Sequence, residues 1–172
     1  MKLKIRKNVL SEALNNVSKA LSSKNIVPIL SGIKFNLTKE KLILTASDND
    51  ITIQTEIEKS EDLEILKTGS IVIKGKYIID IIRKLDSEFI NMEIVDDYKV
   101  LIYTENSEFN LNGIDAREYP PIDLSLNDDF ISLSIKDFKN IINQTNYASS
   151  TDESRIVLTG LNLKTNKEML EC

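Results

Sequence analysis

An internal repeat constrains this sequence more than any other feature. Met1–Arg6 alternates apolar and charged side chains, which predicts a half-buried strand. An amphipathic helix from about Asn8 to Leu21 is predicted next, with Asn8 as its N-cap. Three predicted strands follow, at Gly32–Leu37, Lys41–Ala46 and Ile51–Ile57. The first part of the chain therefore reads strand, helix, strand, strand, strand.

The same order of elements then recurs. Ser70–Ile73 is a predicted strand, and Lys76–Leu85 is a predicted helix that is entered through Gly75. Further strands are predicted at Phe89–Val95, Lys99–Thr104 and Glu108–Asn112. Two such copies predict an α+β domain in which sheets are backed by two helices. The double proline at Pro120 and Pro121 predicts the end of this domain.

A third copy follows and is incomplete. Phe130–Ser134 alternates like a strand. Ser134 and Asp137 resemble a capping box at the start of a helix that runs to about Asn146. Arg155–Leu163 is the next predicted strand. By the pattern of the first two copies, at least one strand is missing.

These patterns predict two domains. We expect residues 1–121 to form one domain with two pseudo-repeats, and residues 122–172 to form the truncated first part of a second. We also expect the chain to be a fragment of a longer protein, because the third copy lacks at least one strand and part of another. An open sheet edge that ends in a free thiol would otherwise favour aggregation.

Composition excludes several classes of protein. There is no His, and the one Cys is the last residue, which excludes a disulfide scaffold, a His-based triad and nearly all zinc sites. No apolar run approaches the ~18 residues of a membrane span, and no signal peptide opens the chain, so we expect a cytoplasmic protein without a membrane partner. The five glycines are scattered and form no phosphate-binding loop, and we expect no cofactor.

Charge is unevenly distributed along the chain, whose net charge is −5. Residues 1–60 carry 10 basic and 6 acidic side chains, a net charge of +4, and residues 61–172 carry a net charge of −9. A partner responds to the local face, because salt screens the remainder over about a Debye length. The acidic total therefore does not exclude a nucleic-acid partner.

Four short segments share their order and spacing with one known family. They are Ile26–Leu30 followed by Gly32, Leu44–Ile51, Asp115–Pro120 and Val157–Leu161. On these segments the whole chain resembles the bacterial sliding clamp, the beta subunit of DNA polymerase III. The resemblance implies an α+β DNA clamp fold, with sheets outside and helices lining a DNA channel.

The resemblance also implies a function without chemistry. In the family, two subunits of three similar domains join head to tail as a homodimeric ring around double-stranded DNA. An ATP-driven clamp loader opens and closes the ring, and the ring tethers the replicative polymerase and other enzymes that carry clamp-binding peptides. We therefore expect a non-catalytic processivity factor, of which this chain covers the first domain and about two-thirds of the second.

Four basic residues are candidate DNA contacts by the same resemblance: Lys24, Lys76, Arg83 and Arg155. Lys76 and Arg83 are seven residues apart on the polar stripe of the second predicted helix. A sliding ring must attract phosphates without reading bases, and scattered Lys and Arg side chains do this. The alternative for each of these charges is a solvated surface residue.

Two partner surfaces are also expected. Apolar side chains cover roughly 200° of the second predicted helix, about twice the width that one core face needs. The resemblance places Tyr77, Ile81 and Leu85 against the third domain of the neighbouring subunit, and a deeply buried helix is the alternative. Leu158 is the only expected residue of the peptide pocket in this chain. We therefore expect a mostly monomeric fragment with negligible peptide affinity.

A metal-dependent hydrolase or transferase is the alternative function. Asp48 and Asp50 lie in an acidic turn that could bind Ca²⁺ or Mg²⁺, or act as general acid and base. The Gly and distant Glu of an EF-hand loop are missing, and an Asx-type turn between strands is the simpler interpretation. Cys172 could act as a nucleophile only beside a group that stabilises its thiolate.

Overall fold

The computed structural model describes residues 1–21, 27–123, 125, 132–165 and 170–171. The chain divides into two compact units, unit 1 at Met1–Asp123 and unit 2 at Leu124–Cys172. No helix in the described part of the chain combines the length and the apolarity that crossing a bilayer requires.

The described part of unit 1 contains nine strands and two helices. The strands are β1 (Lys2–Arg6), β2 (Gly32–Leu37), β3 (Lys41–Ser47), β4 (Thr52–Glu58), β5 (Leu63–Lys67), β6 (Gly69–Lys74), β7 (Phe89–Asp96), β8 (Lys99–Tyr103) and β9 (Glu108–Ile114). The helices are α1 (Lys7–Val17) and α2 (Gly75–Lys84), and short 3₁₀ turns lie at Ser18–Ala20, Pro28–Ser31 and Ala116–Glu118. Apart from β5, the order strand, helix and three strands occurs twice, and the predicted α+β class is confirmed.

All nine strands form one antiparallel sheet in the order β4-β3-β2-β6-β9-β8-β7-β1-β5. The two halves of the sheet meet at β9, whose residues Glu108–Asn112 pair with β8. Only its last two residues, Gly113 and Ile114, pair with β6. A Cβ atom at Gly113 would lie 2.6 Å from Cγ1 of Ile71, so glycine lets the strand cross from one half of the sheet to the other without displacing packed atoms.

The main core lies between the sheet and the two helices, which also contact each other. Inward side chains alternate along the strands, as in Leu3 and Ile5 of β1. A smaller cluster lies on the opposite face of the sheet, because Val72 points away from its neighbours Ile71 and Ile73. This cluster consists of Leu30, Val72, Ala116 and Tyr119.

The start of α1 differs from the prediction. The helix begins at Lys7, directly after β1, and no side chain caps it, so the prediction of Asn8 as N-cap is wrong. The backbone N–H of Lys7 instead donates to the carbonyl of Glu88 at 2.9 Å. The Arg6 side chain forms ion pairs with Asp62 and Glu88. Contacts with distant segments therefore fix the start of this helix and satisfy the N–H group of its first residue.

Unit 2 contains helix α3 (Ile135–Thr145). The Ser134 hydroxyl accepts from the backbone N–H of Asp137 at 3.1 Å and donates to the Asp137 carboxylate at 2.6 Å, so the predicted cap is confirmed. Of the predicted strand Phe130–Ser134, Phe130 and Ile131 lie outside the described residues, and the structure shows no strand at residues 132–134, where the prediction is wrong.

The predicted strand Arg155–Leu163 is wrong. Glu153–Thr159 forms 3₁₀ turns, and the strands described in unit 2 are β10 (Lys164–Thr165) and β11 (Leu170–Glu171), which pair with each other. A strand needs a neighbour, and no described residue pairs with this segment as a strand. The carbonyl of Leu158 instead accepts from the backbone N–H of Ser150 at 2.8 Å.

Candidate nucleic-acid and partner interfaces

The outward face of α1 is polar and nearly uncharged. Its buried side, Leu10, Ala13, Leu14 and Val17, packs on the sheet. The exposed residues on the other side are Asn8, Glu12, Asn15 and Asn16. Neutral amides can hydrogen-bond to phosphate or to water without adding charge. This face is suited to weak contact with a polyanion.

The outward face of α2 is cationic. Lys76, Arg83 and Lys84 are exposed, and the half-buried Asp80 is the one acid among the residues of this helix. Lys76 and Arg83 are about 10 Å apart along the axis and about 20° apart around it, since a helix rises ~1.5 Å per residue with 3.6 residues per turn. No ion pair among the described residues involves either of them. Both can therefore neutralise phosphates.

The two other basic candidates do not lie on this helix. Lys24 is outside the described residues. Arg155 lies in unit 2, within the 3₁₀ segment Glu153–Thr159, and its side chain is exposed. The structure thus brings together two of the four predicted basic residues, Lys76 and Arg83, on one helix face.

The apolar arc of α2 is mostly core. Leu85 is 4% exposed and packs with Ile78 and Ile82 against the sheet, while Ile81 is partly buried at the margin. At 100° per residue Leu85 lies about 20° from Ile78, near the centre of the buried face. Leu85 therefore offers almost no surface to a partner, and Tyr77, at 51% exposure, is the main exposed apolar residue of the helix.

A groove of about 370 Å³ lies beside Tyr77. Its lining residues are Ile73, Lys74, Tyr77, Asn110, Leu111 and Asn112. The Lys74 ammonium lies 5.9 Å from the centre of the Tyr77 ring, within range of a cation–π interaction. The groove joins the exposed part of α2 to the middle of β9.

The open edge of β9 is a feature that the sequence reasoning missed. Glu108–Asn112 pairs with β8 on one side, and no described strand pairs with it on the other. Phe109, which is 38% exposed, lies in this stretch. Unpaired strand edges are ready to accept another strand. The alternation of Phe109 and Leu111 in the sequence was a signal of a strand, but it does not reveal which neighbours that strand has.

The remaining sequence candidates are placed as follows. Leu158 is 52% exposed in unit 2. The Asp48 carboxylate accepts the backbone N–H groups of Asp50 at 3.1 Å and Ile51 at 2.8 Å, which confirms the Asx-type turn. Among the described residues, no group of three or more acidic or Cys side chains could hold a metal ion. Cys172 is outside the described residues.

The repeated units, the helix pair on one face of a continuous antiparallel sheet and the cationic helix surface define an α+β clamp fold. A family model described as the N-terminal domain of the DNA polymerase III beta subunit matches residues 1–123. The chain therefore belongs to this family.

Curated relatives and solved structures agree with that assignment. The beta sliding clamps of Staphylococcus epidermidis and Staphylococcus aureus are each 40% identical to the chain over 176 aligned positions, which cover all of this chain and 47% of each relative. The DNA polymerase sliding clamp of Bacillus subtilis superposes with a TM-score of 0.93 at 37% identity, covering 99% of this chain and 46% of that one. The DNA polymerase beta subunit of Streptococcus pyogenes gives a TM-score of 0.90 at 32% identity, covering 97% and 44%. The chain spans about half the length of the curated relatives it matches.

Proposed function

We propose that this chain is part of a DNA sliding clamp, a processivity factor of the replicative DNA polymerase. The complete protein encircles duplex DNA, slides without sequence preference and tethers polymerase and repair enzymes. The observation that carries the proposal is the clamp fold, which matches the Bacillus subtilis sliding clamp with a TM-score of 0.93 over 99% of the chain. Unit 1 is the first clamp domain in this proposal, and unit 2 is the first part of the second.

The proposed DNA contacts are Lys76 and Arg83 on α2, with Lys24 and Arg155 as further contacts. Lys76 and Arg83 are exposed and form no ion pair with described residues. Binding through Lys and Arg to phosphates supplies affinity that does not depend on sequence. The amide-rich face of α1 adds hydrogen bonds without adding charge. Such contacts are weak and interchangeable, as sliding requires.

The proposed role is non-catalytic, and the proposed location is the cytoplasm. The Asp48 carboxylate is engaged by two backbone N–H groups of its own turn, and this supports a structural role for the acidic turn rather than acid–base chemistry. Incubation of the chain with Mg²⁺ or Mn²⁺ and model phosphate esters should give no turnover. Metal-dependent hydrolysis that is lost in Asp48→Asn would support the alternative enzyme function.

The proposed partners follow the same assignment. The second subunit of a head-to-tail homodimer joins at one surface of unit 1. This surface consists of Tyr77, the partly buried Ile81 and the open edge of β9. This surface combines an exposed aromatic side chain with unpaired strand groups, a combination that suits strand addition. An ATP-driven loader would open the ring, and Leu158 would contribute to the pocket for partner peptides. We propose that the 172-residue chain is mostly monomeric and binds these peptides negligibly.

Topology-dependent retention tests the ring. The full-length parent protein should remain on closed circular DNA through gel filtration and leave the DNA after linearisation by a restriction enzyme. Lys76→Gln with Arg83→Gln should weaken retention on circles at moderate salt, while Lys39→Gln, the same charge change in the β2–β3 turn, should not. Retention that is equal on circular and linear DNA would refute the encircling function.

A further inference from the structure

A groove with mixed polar and apolar lining lies on the outer face of the sheet, opposite the helices. Its volume is about 400 Å³. The groove is lined by Lys34, Asn36, Ser70, Ala116, Arg117, Tyr119 and Pro121. The proposed clamp function, with its DNA contacts on the helices and its subunit contact near Tyr77, assigns no role to these residues.

The groove is built from rigid elements. Its floor is formed by neighbouring strands β2 and β6, where Asn36 and Ser70 are directly opposite each other. Its wall is the turn around Ala116, which packs on the sheet through the outer cluster. Asp115 holds this turn in place, since its carboxylate accepts from the backbone N–H of Arg117 at 2.9 Å and from the Tyr98 hydroxyl at 2.9 Å.

Lys34 gives the groove its charge. The residue is half-buried, and its cross-strand neighbours, Thr45 and Val72, are uncharged. Its ammonium lies 5.6 Å from the centre of the Tyr119 ring. No carboxylate in the described part of the chain forms an ion pair with it, and no acidic residue lines the groove. A partly buried cation is stabilised by an anionic partner, and none of the described residues supplies one.

Arg117 is already paired with a carboxylate. Its Nε and Nη2 atoms donate to the Asp115 carboxylate at 2.9 Å and 2.6 Å, so Asp115 neutralises its charge and Lys34 is the unpaired cation among the residues that line the groove. A phosphate is usually held by the planar fork of an Arg side chain or by several cations, whereas a single ammonium matches the single charge of a carboxylate. Asn36 and Ser70 can both donate and accept hydrogen bonds, as a peptide backbone requires. Tyr119 and Pro121 supply apolar surface.

We propose that this groove binds a short acidic peptide segment of a partner protein. A Glu or Asp carboxylate of the segment pairs with the Lys34 ammonium, its backbone bonds to Asn36 and Ser70, and an adjacent apolar side chain packs on Tyr119 and Pro121. This site goes beyond the clamp function and does not depend on ring closure.

The probes are two blocked tripeptides, acetyl-Leu-Glu-Leu-amide and acetyl-Leu-Gln-Leu-amide, with inorganic phosphate as a third. Each is titrated into the ¹⁵N-labelled 172-residue chain while amide chemical shifts are recorded. The Glu peptide should produce saturable shifts at Lys34, Asn36 and Ser70. The Gln peptide should bind at least about tenfold more weakly, because a charge-assisted hydrogen bond to the ammonium is lost.

Substitutions locate the site. Lys34→Gln should reduce affinity for the Glu peptide to that of the Gln peptide, while Lys39→Gln, with the same charge change on the adjacent turn, should leave it unchanged. Ser70 is exposed, so Ser70→Ala should fold normally and should weaken binding several-fold even if Lys34→Gln is unstable. Equal affinity for the two peptides, tighter binding of phosphate, or binding that neither substitution weakens would overturn the proposal. None of these outcomes bears on DNA retention by the full-length protein.

Discussion

Gly113 joins the two halves of the sheet and positions α2 beside the open edge of β9. A Cβ atom at this position would lie 2.6 Å from Cγ1 and 2.8 Å from Cδ1 of Ile71, and 3.0 Å from the carbonyl oxygen of Tyr98. Ile71 is 1% exposed and is enclosed by the core. The Tyr98 carbonyl accepts from the backbone N–H of Gly113 at 2.7 Å and is held near it. Gly113→Ala must therefore displace packed atoms.

The expected change in the free energy of unfolding for Gly113→Ala is the difference between two effects. Overpacking of a core costs roughly 1–3 kcal/mol. Replacing Gly by Ala recovers about 0.4–1 kcal/mol through the entropy of the unfolded chain where the backbone allows it, and Gly113 does not have a positive φ. A net loss of about 1–2 kcal/mol in the free energy of unfolding follows. With a urea m-value of ~2 kcal/mol/M, the denaturation midpoint should fall by roughly 0.5–1 M.

Urea denaturation followed by circular dichroism measures this shift. Gly160→Ala is the control, because a Cβ atom there meets no atom within 4 Å and should change stability by less than about 0.5 kcal/mol. Ile71→Val removes the Cδ1 atom, so the double variant with Gly113→Ala should lose less stability than the sum of the two single variants. An unchanged midpoint for Gly113→Ala, or strict additivity in the double variant, would refute the steric reasoning.

Three further predictions concern charge, pH and packing. In the full-length protein, the affinity for duplex DNA falls as salt rises. Lys76→Gln should make the slope of log affinity against log salt less steep by about 0.9, measured by fluorescence anisotropy, and Lys39→Gln should leave this slope unchanged. The neighbouring Arg117 guanidinium holds the pKa of Asp115 well below its usual range. The ionised Asp115 carboxylate therefore contributes stability above its unfolded-state pKa of about 3.9, and this stability is lost as pH falls through the lower folded-state pKa. Asp115→Asn should therefore lower the urea midpoint at pH 7 and lower it less in strong acid; a pH-independent difference would contradict this. Ile82 is 1% exposed, so Ile82→Ala should lower the free energy of unfolding by about 2–5 kcal/mol, measured by thermal or urea denaturation. Tyr77→Ala should lower it far less, and equal losses would contradict the assignment of Tyr77 to the surface.

Local periodicity was sufficient for much of the fold. The alternation in β1 and the 3.6-residue pattern of α2 predicted both elements to within about one residue, because each pattern reflects burial of one face of that element. Strand β5 was missed, since five residues at the edge of a sheet give little alternation to detect. Arg155–Leu163 has strand composition, but composition alone forms no strand without a neighbour.

In the candidate site, too, some features follow from local sequence patterns and others depend on tertiary packing. Helical spacing alone places Lys76 and Arg83 on one face, because residues seven apart complete nearly two turns. The burial of Leu85 depends on how deeply α2 packs on the sheet, and no pattern along the helix specifies that depth.

The sequence by itself determined the repeat, the α+β class and the polar helix faces, because these depend on residues close together in the chain. Only the tertiary structure decided which strands are neighbours, since every half-buried strand has the same two-residue period and its sequence does not specify a partner. The crossing at Gly113, the open edge of β9 and the groove that unites Lys34, Ser70 and Tyr119 all follow from that pairing.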